Sequence, residues 1–165
     1  ALLNVCKGNT FENRRDMALL RMLMDTGMRA GELCGLGMED IEEAQSVALG
    51  MGKGRRGRAV PYGAKTADAL RRYRRARAVH PMAASPFLWL GKKGRLSDSG
   101  MRQLLERRAI EAGVEHVYPH RFRHTYAHTW LANGGKEQGL MRLAGWRLRG
   151  RVVRDAAYAE EWRDR

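Results

Sequence analysis

Apolar residues recur at helical spacing between Arg14 and Asp25, where Met17, Leu20 and Met24 line up with their neighbours Leu19 and Leu23. This predicts a helix. Thr26-Gly27 breaks it, and a second short helix is expected from about Arg29 to Gly35–Gly37. After Ile41 the period changes. Val47, Leu49 and Met51 alternate, Gly52–Gly57 supplies a turn, and Ala59-Val60-Pro61 leaves it, which predicts a small β-hairpin with a basic tip.

The helical period returns over Ala64–Val79, with Ala67, Leu70, Arg74 and Ala78 near one face, and Pro81 marks the end. Pro86–Leu90 reads as a short buried strand. Ser97 or Ser99 is placed to cap a helix that runs to about Ala112 and stops at Gly113. His120–Asn133 is a further helix, closed by Gly134-Gly135, and Lys136–Ala144 another, stopped by Gly145. The charged tail from Arg147 to Arg165 reads as helical, anchored by Val152, Val153, Tyr158 and Trp162. The expected class is α+β: mainly α with a small antiparallel β-sheet. No repeat or interdomain linker interrupts the chain, so residues 1–165 are expected to form a single domain.

Charge narrows the choice of partner. Lys plus Arg number 31 against 18 acidic residues, a formal net charge of +13, which favours a polyanion such as nucleic acid. Arginine outnumbers lysine 25 to 6. Its planar fork suits phosphate, though a GC-rich genome gives the same excess. Five arginines fall in Arg71–Arg77, and most are expected on a solvated face. The two cysteines, Cys6 and Cys34, form no CxxC and no disulfide scaffold, which fits a reducing cytoplasm. No apolar run is long enough to cross a bilayer. The sequence begins at Ala1 rather than Met, which suggests a piece lacking an N-terminal domain.

Candidate chemistry is spread along the chain. Arg29 opens the second helix, and Glu32, three positions on, can hold its guanidinium; such a pair also reads as a surface salt bridge. Lys53 sits between Gly52 and Gly54 at the hairpin tip, and Arg55, Arg56 and Arg58 extend a basic surface able to reach DNA. His120 and Arg123, at (i, i+3), share a helical face and could clamp a phosphate; the same pair could be a helix start with a capping histidine. His120, His124 and His128 lie in one row on one helix, which cannot readily surround a tetrahedral metal. Trp146 can donate one hydrogen bond or serve as core. Tyr158 has no local motif of its own. Taken together, two arginines, a lysine, a histidine and a tyrosine suffice to break a nucleic-acid backbone with no metal and no cofactor.

In this order the pieces resemble the tyrosine recombinase (phage integrase) family, over about Arg14 to Tyr158. Thr26–Leu33 is similar to the first arginine box, Gly52-Lys53-Gly54 to the lysine hairpin, Pro119–Thr125 to the His-x-x-Arg box, and Leu143-Ala144-Gly145-Trp146 to the third box. The resemblance implies a tyrosine-recombinase catalytic-domain fold. It implies that Arg29 and Arg123 bind the scissile phosphate, with Glu32 in support, and that Tyr158 forms a 3′-phosphotyrosyl link. Lys53 would protonate the leaving 5′-hydroxyl, His120 would assist proton transfer and Trp146 would position the phosphate. Tyr126 falls where the family has a packing aromatic. The twelve positions from Trp146 to Tyr158 exceed the family's usual spacing. The implied partners are double-stranded DNA core sites and, for the full-length protein, a homotetramer on DNA. A type IB topoisomerase would share this chemistry without strand exchange, and a non-catalytic DNA-binding module would share only the phosphate contacts.

Overall fold

The computed structural model describes residues 1–51 and 57–144. In chain order these form α1 (Leu2–Val5), α2 (Phe11–Thr26), α3 (Ala30–Cys34), β1 (Ile41–Glu42), β2 (Val47–Met51), β3 (Gly57–Pro61), α4 (Ala64–Ala78), β4 (Leu90–Gly91), β5 (Gly94–Arg95), α5 (Asp98–Ala112), α6 (Pro119–Ala132) and α7 (Glu137–Ala144). The class is as expected, mainly helical, but with two small antiparallel sheets: β1-β2-β3 and the pair β4-β5.

Helix α2 starts three residues earlier than its apolar stripe suggests. Thr10 is its N-cap, and the hydroxyl accepts from the Asn13 amide at 3.1 Å. Such a cap is worth about 1 kcal/mol. The helix buries Ala18, Leu19, Leu20, Met22 and Leu23 completely and packs against α1, α4 and α6. At its far end the Asp25 carboxylate accepts from the Gly63 amide (2.8 Å) and the Thr66 hydroxyl (2.6 Å), capping α4 from across the core. Helix α5 is bounded as expected, by Ser97, whose hydroxyl accepts from the Gly100 amide, and by Gly113 in the left-handed region at φ 65°.

One ion-pair network sits inside the core. Asp16 is fully buried and receives Arg15 Nε at 2.9 Å and Arg108 Nε at 2.8 Å. Arg108 also donates to the Val5 carbonyl, Asn13 and Glu111, and Arg15 donates to the Leu90 carbonyl. Burial lowers the Arg108 pKa, but the bonds to Asp16 and Glu111 outweigh it and the net shift is upward. The network ties α1, α2, α5 and β4 to one carboxylate.

Two expectations need correction. Leu88, Trp89 and Leu90 are buried as anticipated, yet strand geometry is confined to Leu90–Gly91 and a bridge between Gly37 and Phe87. The carbonyls of this segment are engaged elsewhere. Tyr73 Oη donates to Leu88 (2.7 Å), and Arg77 donates to Ala83, Ser85, Phe87 and Leu88. Arg77 is therefore buried at 3% exposure and not part of a solvated face, unlike Arg71, Arg72 and Arg75. In the hairpin, Ala48, Gly50 and Val60 face the core, and Leu49 on the other side of β2 is 45% exposed.

Candidate active site

The turn between α2 and α3 places Arg29. Thr26 is buried; its hydroxyl donates back to the Met22 carbonyl (2.6 Å) and accepts from the Met28 amide (3.2 Å). Gly27 then ends α2 in the left-handed conformation, at φ 59°. A Cβ at Gly27 would stand 2.6 Å from the Tyr126 ring, so both the backbone and the packing require glycine here. Arg29 follows in extended geometry as the N-cap of α3, and its Nη1 lies 3.6 Å from Glu32 Oε1. The Glu32 side chain is 7% exposed and the Arg29 side chain 32%, so the acid is inside and the guanidinium faces outward.

Helix α6 supplies the other half. Tyr118 is its N-cap in extended geometry, and Pro119 occupies the first turn, where its missing N–H costs nothing. Arg123, one turn further in, is 2% exposed, and its Nη1 donates to the Gly27 carbonyl at 2.6 Å. His120 is exposed at the mouth, and its ring meets the edge of the His124 ring at 4.3 Å. His124 is buried, in keeping with a packing role.

These groups line one open cleft of about 440 Å³, formed by Arg29, Ala30, Gly31, Arg102, Tyr118, Pro119, His120 and Arg123. Three of the residues singled out from sequence, Arg29, His120 and Arg123, thus come together, with Glu32 behind Arg29. The α6 N-terminus adds positive dipole. The cleft is lined by three arginines and a histidine. Arg102, on α5, was not anticipated from sequence. A larger cleft of about 850 Å³ also borders α6, lined mainly by apolar groups such as Met24, Phe122, Tyr126 and Trp130, and lacks this cluster of cations. Among the described residues no group of His, Cys, Asp or Glu is arranged to hold a metal ion. No helix among them is long and apolar enough to cross a membrane.

Arg58 lies on β3, paired with Gly50, and only its backbone is described. Lys53, Arg55, Arg56, Trp146 and Tyr158 lie outside the described residues.

Residues 1–157 match the phage integrase family. The chain belongs to that family. Among relatives in the phage integrase family, the tyrosine recombinase XerC of Corynebacterium efficiens is 37% identical over 126 residues, 76% of this chain and 40% of that protein. XerC of Corynebacterium glutamicum is 38% identical over 136 residues, 81% of this chain and 43% of that one. The chain therefore spans less than half the length of these relatives. Among solved structures, XerA recombinase superposes with a TM-score of 0.78 at 27% identity, over 84% of this chain and 52% of XerA. XerH recombinase bound to its palindromic difH substrate, a post-cleavage complex, superposes with a TM-score of 0.79 at 18% identity, over 97% of this chain and 47% of XerH, a likeness of fold.

Proposed function

We propose that this chain is the catalytic domain of a site-specific DNA recombinase that cuts and rejoins strands through a 3′-phosphotyrosyl intermediate. The convergence of Arg29, His120 and Arg123 on one cleft carries this reading. A phosphodiester seated there would have its non-bridging oxygens between two guanidiniums, the arrangement that stabilises extra negative charge as phosphorus becomes pentavalent. Glu32 and the Gly27 carbonyl hold those guanidiniums in place, so little reorganisation is needed when the charge develops.

In this reading the Tyr158 oxygen attacks phosphorus, and the bond to the 5′-oxygen breaks. Lys53 gives that oxygen a proton, and His120 assists proton transfer. The ester conserves the energy of the phosphodiester, and attack by a 5′-hydroxyl of another strand releases the tyrosine. Trp146 positions the phosphate, and Arg55, Arg56 and Arg58 hold the DNA backbone. The partners are duplex core sites, on which the full-length cytoplasmic protein acts as a homotetramer.

The test is a denaturing gel of the full-length parent protein with a pool of nicked suicide duplexes of randomised core sequence, followed by mass spectrometry of the adduct. A covalent species on the peptide containing Tyr158, absent from Tyr158→Phe, is the expected result. Salt-sensitive binding with no adduct in any condition would make the chain a DNA-binding module instead.

A further inference from the structure

We propose that Arg102 is a third phosphate-binding guanidinium of the cleft, contacting the DNA backbone beside the phosphate held by Arg29 and Arg123. The inference rests on the recombinase reading and adds a residue to it. Arg102 lies in none of the motifs that carry the resemblance. Its position follows from how α5 is fastened.

The first turn of α5 is tied to α3. Helix α3 packs against α5, and a Cβ at Gly31 would lie 3.7 Å from Asp98 Oδ2. Asp98 therefore faces α3, and Arg102, four residues on, projects from the same face one turn later. That turn brings it to the rim of the cleft, where it lines the space with Arg29, Ala30, Gly31 and His120.

The other arginines of α5 are engaged. Arg108 is buried against Asp16, and Arg107 reaches Asp16 at 3.6 Å. Arg102 is exposed, and among the described residues it makes no ion pair or hydrogen bond. Glu106 is one turn along the helix, at a spacing that often pairs, yet lies outside ion-pair distance. A guanidinium left without an acceptor at the rim of a cationic cleft is suited to an incoming anion. Arg29 and Arg123 approach from the α2–α3 turn and from α6, whereas Arg102 approaches from the rim, which suits a neighbouring phosphate of the same strand.

The experiment measures affinity for a mixed-sequence duplex of about 30 base pairs across a salt series, since each neutralised phosphate adds about 0.9 to the log–log slope. Arg102→Ala is expected to lower that slope by about 0.9, so that over a fourfold rise in salt wild-type affinity falls about 3.5-fold more than the variant's. Arg102→Lys should restore the slope. Arg107→Ala, on the same helix but paired with Asp16, should leave it unchanged. Arg102→Ala with a wild-type slope, or an equal drop for Arg107→Ala, would overturn the proposal while leaving the recombinase reading standing. A wild-type protein that shows no salt-dependent binding would overturn both. Circular dichroism of each variant checks that the helices persist.

Discussion

Arg123 Nη1 and the carbonyl oxygen of Gly27 are joined by a 2.6 Å hydrogen bond, so the glycine that ends α2 also orients an arginine of α6. The guanidinium is held at one edge by the scaffold, and its remaining N–H groups are set in a fixed plane.

The first prediction follows from that plane. Lysine carries the charge but has no fork able to hold the Gly27 carbonyl and a phosphate together. Arg123→Lys should therefore slow single-turnover cleavage by about 10²- to 10³-fold, with binding affinity changed much less. Cleavage by the lysine variant at near wild-type rate would show that charge alone suffices at this position.

Gly27 itself is subject to two separate constraints. Gly27→Ala forces a Cβ into the left-handed region, at about 1–2 kcal/mol, and into the Tyr126 ring at 2.6 Å. The melting temperature should drop by more than about 5 °C. Adding Tyr126→Ala should relieve the ring clash and leave the backbone part, so the double variant is expected to melt above the sum of the two single losses. Strict additivity would mean the ring contact has no energetic role.

Arg77 and Arg75 differ in burial, and so should their variants. Arg77→Ala strips a donor from four loop carbonyls; Leu88 keeps the Tyr73 hydroxyl, and each of the other three costs about 1–3 kcal/mol if left buried and unpaired. Chemical denaturation should show a loss of several kcal/mol, with Arg75→Ala within about 0.5 kcal/mol of wild type. Equal effects would contradict the buried role of Arg77.

High pH should weaken the fold. Burial pushes the thiols of Cys6 and Cys34 up from 9.0 to about 11 and about 12, and the Tyr73 hydroxyl up from 10.0 to about 12. For Cys34 the Asp98 carboxylate adds to the rise. The folded state holds these protons more tightly than the unfolded chain, so their stabilising contribution is complete below about pH 9. It is lost as pH rises through the folded values. Thermal melts between pH 8 and 11 should fall, and Cys34→Ala should flatten part of that fall. Both thiols should resist iodoacetamide at pH 8 until the protein is unfolded.

Much of this was legible in the sequence where the signal is local. The α2 helix, the Thr26-Gly27 break, the Ser97 cap and the Gly113 stop each depend on a few adjacent residues, and all are present, although Met24 of the α2 stripe is exposed and the buried face runs through Leu19, Leu20 and Leu23. The grouping of Arg29, His120 and Arg123 was legible only through the ordered boxes, because Arg-x-x-Glu and His-x-x-Arg taken singly are common. Most of the Arg71–Arg77 cluster is solvated as expected, but Arg77 was not singled out from its neighbours. The signal that marks it is its spacing from Leu70 and Tyr73, which puts all three on one buried face. Arg102 carried no such signal. Its place depends on α3 and α5, distant in sequence, packing so that Gly31 faces Asp98. The second sheet was hidden for a related reason, since side chains of α4 occupy carbonyls that a longer strand would have used.

The bond between α6 and the α2–α3 turn has a consequence for how this protein can vary. One partner of Arg123 is a main-chain oxygen, which every amino acid carries. No codon change at position 27 can delete that acceptor; it can only move it. The arginine is thus buffered against the neutral drift that erodes pairs of side chains, and variation near the turn should be filtered by backbone shape more than by residue chemistry.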